Sequence, residues 1–496
     1  MHPLLDINME SKLLMRVIVN IIASILLICP FSIAGLYAYD NCLFQNLEFE
    51  YSNEIAANDY EYSRNPAFFN RGVERGYNLY AVYGALLQNH YRRRFDPTMN
   101  RLYGVSFFSN KLLDEKSTLA TAVVFDRSKH YDMYGSLEKD FYEHYFSFTD
   151  STTGNTVYYG PRLWVLYKRT IAPRLGTALQ IEYGIERGLK DVYTECMTIF
   201  RNLDVKLGLG YRSVGGSFVC GIYGRVFDRQ GKYEAVSGLL EAVNFSYIGY
   251  QVYRPEISRD ANHKSDRKTG YEMGVYVQKE ALFIPGLEWR SALLAGSTAS
   301  TIKTGSRSQP VPVGYWVRAA VRMENRLSYR LETLRCELGL IYDVGKTVDW
   351  AQHGQFEVNL LDYRDTDRLM GVDVILGPWR YFSLRTGYRI GFRDVDYHEY
   401  TAAFDFSDNL KTSRVFVDFA VRFNKITTLR LGYENCIEEP FFYWNTPEFD
   451  ITGVYLAWYR QFVVGQIGLR IDAGVWDPSV SNNRIEYCRV SLSLKN

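Results

Sequence analysis

The chain lacks a charge excess: 57 Lys and Arg stand against 56 Asp and Glu, a formal net charge of +1 over 496 residues. That balance excludes a chain-wide basic surface for nucleic acid and any general attraction to polyanions. Proline is scarce, at 14 residues, which argues against proline-rich linkers or stalks. Six cysteines follow the first 35 residues (Cys42, Cys196, Cys220, Cys336, Cys436 and Cys488), widely separated, with no CxxC and no histidine at metal-ligand spacing. Neither a disulfide framework nor a zinc site is expected from them. No GxSxG, HExxH or P-loop occurs, and the histidines after the amino terminus (His90, His130, His144, His263, His353, His398) fall mostly in expected loops. An enzyme is therefore not expected, nor a cofactor or a metal. The acidic groups Asp362/Asp365/Asp367 and Asp394/Asp396 do not follow an EF-hand spacing and read as solvated loop ends. Beyond residue 40 no run is apolar and long enough for a transmembrane helix.

What the chain does have is hydrophobic content of 47%, which excludes a mainly disordered protein, and 40 tyrosines. Tyrosine suits strands and surfaces that are apolar at one end and wet at the other. At the amino terminus, Lys12 and Arg16 precede the apolar stretch Val17 to Leu27, and Pro30 with Ser32-Ile33-Ala34 follow. A basic start, an apolar middle and a small-residue exit describe a secretory signal, expected over residues 1–34 and removed on export. Pro30 interrupts the stretch before it reaches spanning length, which disfavours a retained anchor.

From Gly76 onward the dominant pattern has period 2, the mark of strands with two unlike faces. Leu203, Val205, Leu207, Leu209 and Tyr211 alternate with Asp204, Lys206, Gly208, Gly210 and Arg212. Ile467, Leu469, Ile471, Ala473 and Val475 alternate with Gln466, Gly468, Arg470, Asp472 and Gly474. Val415, Val417, Phe419, Val421 and Phe423 oppose Arg414, Asp418 and Arg422, and the last strand alternates in the same way. A soluble sandwich or propeller would turn the apolar face to a core, whereas a membrane barrel would turn it to lipid. Strand lengths of about 10 to 14 residues, against about 5 or 6 in soluble sheets, favour the barrel. So does the rhythm of the connections. Short turns at Leu112–Ser117, Ala172–Gly176, Val214–Ser217, Pro285–Gly286, Ser328–Thr333, Gly377–Trp379, Asn424–Thr427 and Val464–Gln466 alternate with longer polar stretches. Those are 90–100, 131–157, 187–199, 229–268, 300–311, 346–355, 394–411, 437–449 and 475–484. Short turns on one rim and long loops on the other describe an outer-membrane barrel.

The fold expected is thus all-β: an antiparallel transmembrane β-barrel over 76–496 with roughly 16–18 strands, 14 being the lower alternative. An even count places both chain ends in the periplasm. Trp164, Trp289, Trp379, Tyr433 and Trp458, near strand ends, are expected in the interfacial girdles. The segment 35–75 is too short for a folded domain. It either trails in the periplasm or tucks into the barrel base with Pro66 and Phe68 as its anchor.

The segment Tyr62-Ser63-Arg64-Asn65-Pro66-Ala67-Phe68-Phe69, followed by Gly- and Tyr-rich strands to the end, resembles Bacteroidota outer-membrane β-barrel proteins, including a family described only as a domain of unknown function. The resemblance rests on layout across most of the chain after the signal. It implies insertion by the general barrel-assembly machinery and supplies no catalytic residue. Many such barrels end in an aromatic residue, whereas this chain ends Ser493-Leu494-Lys495-Asn496.

Function is read from the face opposite the apolar one. Expected lumen positions are Arg212, Arg290, Arg335, Glu337, Arg385, Arg389, Arg393, Arg414, Asp418, Arg422, Arg430, Glu434, Arg470 and Asp472, with Glu182, Glu186, Asp204, Lys206 and Glu272 beside them. Arg385, Arg389 and Arg393 make a spaced row on one strand face. Rings of arginine set anion preference in pores, while interleaved signs make cross-strand ion pairs that stiffen or fill a barrel. The reading is an outer-membrane transport or porin-like or structural barrel with a mixed-charge, Arg-leaning lumen. The alternatives are a docking barrel of a secretion or uptake complex and, behind it, a lipid-acting enzyme. Expected partners are outer-membrane lipid and lipopolysaccharide, the assembly machinery and a protein of an export or uptake complex, but no nucleic acid. The stretch 229–268, with Arg254, Lys264, Arg267 and Lys268, is expected as a loop that meets such a partner or lipopolysaccharide phosphate.

Overall fold

The computed structural model describes residues 65–68, 76–87, 97–136, 146–191, 195–236, 242–248, 252–258, 263–280, 285–306, 309–330, 335–352, 356–379, 382–400, 403–424, 427–438, 449–462, 465–478 and 485–495. The expected export signal and most of 35–75 lie outside them. Among the described residues the chain forms one 3-10 turn, Pro66–Phe68, and twenty strands. They are β1 (Gly76–Leu87), β2 (Met99–Asp114), β3 (Ser117–Ser136), β4 (Phe146–Ala172), β5 (Leu175–Asp191), β6 (Glu195–Arg212), β7 (Phe218–Val236), β8 (Ala242–Ile248), β9 (Val252–Ser258) and β10 (His263–Glu280). There follow β11 (Leu287–Ser306), β12 (Gln309–Arg330), β13 (Arg335–Gln352), β14 (Asn359–Trp379), β15 (Phe382–Glu399), β16 (Phe404–Asn424), β17 (Thr427–Glu438), β18 (Phe449–Phe462), β19 (Gly465–Pro478) and β20 (Ile485–Lys495).

The described pairings are antiparallel, and the wall runs β1 to β7, steps from β7 to β10, continues to β20 and returns to β1. Eighteen strands therefore close the wall: the twenty, less the β8–β9 hairpin. Closure sets Asn78 opposite Lys495 and Leu87 opposite Glu486. In lipid every backbone polar group must be satisfied within the protein, and a closed ring of strands leaves no edge to satisfy. The hairpin sits beyond the short β5–β6 connection, where β8 pairs with the start of β4 from Phe146–Ile248 to Asp150–Asn244.

Alternation fixes the faces. Tyr103, Val105 and Phe107 on β2, Val123 and Phe125 on β3, Met273 and Val275 on β10, and Leu469 and Ile471 on β19 are large apolar side chains exposed on the outside. The same strands bury Ser106, Asp126, Ser128 and Asp472 on the inside. An apolar outer belt around a closed antiparallel wall is a transmembrane barrel of the outer-membrane type. Cys220, Cys336 and Cys488 take outward positions; Cys436 faces inward, beside Arg414. Trp164 also departs from its expected girdle place. Its position on β4 has inward parity, and it is buried against Phe108, Ala120, Ala122 and Leu166. Trp289, Tyr433 and Trp458 keep outward parity, and the side chain of Trp379 lies outside the described residues.

The strands outrun the expected length. Wall strands span 11 to 27 residues, where a tilted membrane crossing needs about 9–11. Most of 131–157, 187–199, 229–268, 300–311, 346–355 and 394–411, expected as loops, continues the ladder instead. The physical reason lies in the residues: past the apolar belt the outward positions become polar. The apolar-out alternation that marks a membrane strand stops there, while the backbone hydrogen bonds continue.

Candidate functional site in the lumen

The inner wall between β12 and β17 carries the densest set of charged side chains. Asp373 on β14 is its hub, 1% exposed. Three guanidinium groups converge on it from two other strands: Arg326 of β12 at 3.7 Å, Arg385 of β15 at 3.8 Å and Arg389 of β15 at 4.0 Å. Those separations are ion pairs rather than direct hydrogen bonds. Arg326 also donates from Nη1 to Oε1 of the buried Glu337 at 2.9 Å, which ties β12 to β13. Gly387, beside Asp373 in register, leaves the space for this arrangement, since a Cβ there would stand 2.6 Å from Asp373 Oδ1.

The remaining expected positions mostly join pairs along the same wall. Arg393 donates from Nη2 to Asp365 Oδ2 at 2.7 Å and to the Tyr363 hydroxyl at 2.8 Å. Thus the Arg385, Arg389 and Arg393 row divides, two members toward Asp373 and one toward Asp365. Arg414 pairs with Glu434 at 2.5 Å, Arg430 with Asp418, and Arg290 with Glu288. Arg470 donates to Asp472 at 2.8 Å and lies 4.2 Å over the Tyr455 ring. Arg385 also lies over Phe416. Arg212 and Arg422 stand near the short-turn rim, and Arg422 is exposed. The side chain of Arg335 lies outside the described residues.

Several members of the network were missed from the sequence. On β12, Arg318, Arg322, Glu324 and Arg326 alternate with Ala319, Val321, Met323 and Leu327, so period 2 could have found them. Arg318 donates from Nη2 to Asp367 Oδ2 at 2.8 Å, and Arg322 pairs with Glu324 at 2.8 Å. Asp373 is harder to see, because Val372 and Val374 flank it as part of an apolar-looking run. Asp365 and Asp367 are buried partners of arginine rather than solvated loop ends, and alternation separates them from the outward Asp362. Asp394 and Asp396 face outward on β15.

The expected 229–268 loop is also corrected. Lys264, Arg267 and Lys268 lie on β10, where the ladder with β7 and β11 continues. Lys264 is fully buried, and Arg267 donates to Asp228 at 2.7 Å. Arg254 is on β9, whose side chains lie outside the described residues.

A second inner feature sits near the short-turn rim of β6 and β7. Asn65 Nδ2 donates to the carbonyls of Leu209 and Ile222, each at 3.0 Å. Its Oδ1 accepts from Ala67 N at 2.9 Å, so one amide fastens the 3-10 turn and clamps it to two strands. Pro66, Ala67 and Phe68 are buried, with Phe68 against Val219, Tyr276 and Ala292 and its ring 5.2 Å from that of Tyr276. The wall there is shaped to receive the turn. A Cβ at Gly210 would come 2.8 Å from Phe68 Cε1, and one at Gly221 would come 2.6 Å from Cε2. Of the segment ahead of β1, this is the part whose position the structure describes, and it is inside the wall.

No protein-family model and no curated protein matches the chain. Among solved structures it is similar to BauA, the ferric preacinetobactin receptor from Acinetobacter baumannii (8% identity, 85% of this chain and 80% of that chain, TM-score 0.42). It is also similar to the copper transporter OprC (8% identity, 86% and 81%, TM-score 0.41). A third is the outer membrane transporter YddB from Escherichia coli (7% identity, 86% and 81%, TM-score 0.39).

Proposed function

We propose that this chain is an outer-membrane barrel that handles small solutes through a charged lumen, and that the segment ahead of β1 closes its periplasmic end. The seated Asn65–Phe68 turn carries the reading. Phe68 is fixed on the inner face of β6 and β7, and the chain enters β1 at Gly76, only 8 positions later (76 − 68). Phe68 and Gly76 thus stand at different places round the same rim, β1 lying five strands round the wall from β6. A wall of eighteen strands is wide enough for an aqueous channel, so an obstruction at its base governs what passes. Interleaved Arg–Asp and Arg–Glu pairs line the route, and they favour a stiff wall with a modest lean toward anions over a strongly selective pore. The likeness of residues 62–69 to Bacteroidota barrels belongs to the same reading.

Planar-bilayer recording tests it. The full chain is expected to give small or rare conductance steps. Deletion of 40–70, or Gly221→Val to evict Phe68, should give large steady steps with weak anion preference. Equal conductance in all three would remove the plug, and cation preference would remove the Arg-leaning lumen. The docking alternative draws on the wall that rises past the belt with the β8–β9 hairpin beside its rim. Copurification of a stoichiometric partner from crosslinked outer membranes would favour it.

A further inference from the structure

We propose that the outward face of β2 to β6, where the apolar belt ends, binds the phosphate groups of an anionic outer-leaflet glycolipid of the lipid A type. Register places Tyr103, Arg127, Tyr159 and Arg187 side by side on successive strands β2 to β5. Arg101 faces Lys129 in the next outward row, and Arg201 on β6 extends the patch beside Ile185. Tyr131 holds two of these cations together, with Lys129 Nζ 4.6 Å and the Arg101 guanidinium 5.3 Å from its ring. The patch thus carries five positive charges interleaved with tyrosine. Directly toward the membrane lie Val105, Phe107, Val123, Phe125, Leu163 and Tyr183, all exposed.

Among the described residues, carboxylates stand at the edges of this face, at Asp132, Asp191 and Asp228, rather than between its cations. The outward positions at the level of the cations, 99–107, 123–131, 157–163, 183–189 and 197–205, hold no carboxylate among the described residues, and Asp191 follows at the end of β5. The nearby Asp132, at the bulge beyond Tyr131, accepts from the Thr98 hydroxyl at 2.9 Å. Three cations elsewhere on the outer wall beyond the belt have carboxylates beside them. Arg368 is 3.6 Å from Asp394, Arg364 is 3.7 Å from Asp362, and Arg267 is paired with Asp228. The β2–β6 patch lies on the rim opposite the start of β1 and the end of β20, which the outer-membrane reading sets at the periplasm, hence in the outer leaflet. Acyl chains would lie on the belt below, tyrosines at headgroup level, and guanidinium forks on phosphate oxygens. The occupant is a lipid rather than free phosphate, because the apolar side chains continue without a break from the cations into the membrane.

The test reconstitutes the full chain in phosphatidylcholine vesicles with a small fraction of bisphosphorylated lipid A and measures retained lipid A per barrel by native mass spectrometry. Arg127→Gln/Lys129→Gln/Arg187→Gln is compared with Arg364→Gln/Arg368→Gln on the other side. Each basic residue near an anionic surface contributes about fivefold, so the triple variant should lose on the order of a hundredfold in affinity. The control pair should stay within about twofold, since its charges already have partners. If the triple variant fails to fold, Arg127→Gln and Arg187→Gln taken singly should each lose about fivefold. Unchanged retention by the variants, or an equal loss in the control, overturns the site. Full displacement of lipid A by inorganic phosphate overturns the lipid as occupant. Conductance does not enter, so this test can fail while the plugged-lumen reading stands, and the reverse.

Discussion

The lower and upper halves of one wall obey opposite rules. On the membrane half of β15, Leu384, Tyr388 and Ile390 point out, and Arg385, Arg389 and Arg393 point in. A few residues on, Val395 and Tyr397 point in, while Asp394, Asp396 and His398 point out. β16 makes the same exchange, with Phe406 and Leu410 inside at its start and Val417 and Phe419 outside nearer its end. Backbone parity is kept along β15 and β16; only the solvent on the outside changes. Against lipid, a charge on the outer face costs several kcal/mol, so charge is confined to the interior. Against water the ordinary soluble rule returns, and Ile302, Val313, Ala351, Leu361, Tyr363, Val395 and Tyr397 form a buried apolar cluster on the inside.

Substitutions that trade one half's rule for the other's should separate them. The largest effect is expected at Asp373, whose removal takes the carboxylate from Arg385 and Arg389 and leaves Arg326 with Glu337: Asp373→Ala should cost about 3–5 kcal/mol, read as a lower urea midpoint in vesicles and a lower heat-modifiability temperature. In the upper half the same inward face tolerates no cavity, and Leu361→Ala should cost about 2–5 kcal/mol in the same assay. On the outer face, Val417→Arg in the belt should cost about 2–4 kcal/mol. Ser407→Arg, also outward on β16 but beyond the belt, should stay within about 0.5 kcal/mol. Equal costs at 417 and 407 would place the whole of β16 in one solvent and break the comparison. The smallest effect is at the periplasmic turn after β2, where Asp114 Oδ1 accepts from Lys116 N at 2.7 Å. That hydrogen bond holds the Asp114 carboxyl below its ordinary 3.8. The ionised form favours the folded turn, so its contribution is whole above 3.8 and fades as pH falls through the lowered value. Asp114→Asn should flatten that part of the acid-unfolding profile.

The same inversion explains what could be read from the sequence. Closure, antiparallel pairing and the short turns were legible because the belt residues repeat at period 2 with one polarity, as in Leu203 to Tyr211. The upper wall was not legible, because the polarity exchanges faces near residue 394 and the two halves of the pattern cancel across the switch. Alternation located most of the lumen arginines but not their partners: nothing local says that Arg326, Arg385 and Arg389 share Asp373, since the sharing is set by register between strands. Trp164 failed for a related reason, as proximity to a strand end suggested a girdle while parity put the ring inside. Asn65-Pro66-Ala67-Phe68 was visible as a motif. Its receptor, Gly208, Gly210 and Gly221, looked like ordinary glycine on an inner wall.

The seated turn also constrains the order of assembly. The ring closes only when β20, the last strand made, joins β1 from Leu87–Glu486 to Asn78–Lys495. Asn65 precedes β1 in the chain, yet it is fastened to β6 and β7 on the inside of that ring. Docking of the turn before the seam forms needs no threading, whereas docking afterwards must pass through the periplasmic mouth. A nascent wall of β6 and β7 with the turn already on its concave face would therefore carry the turn into the membrane, and the seam would enclose it.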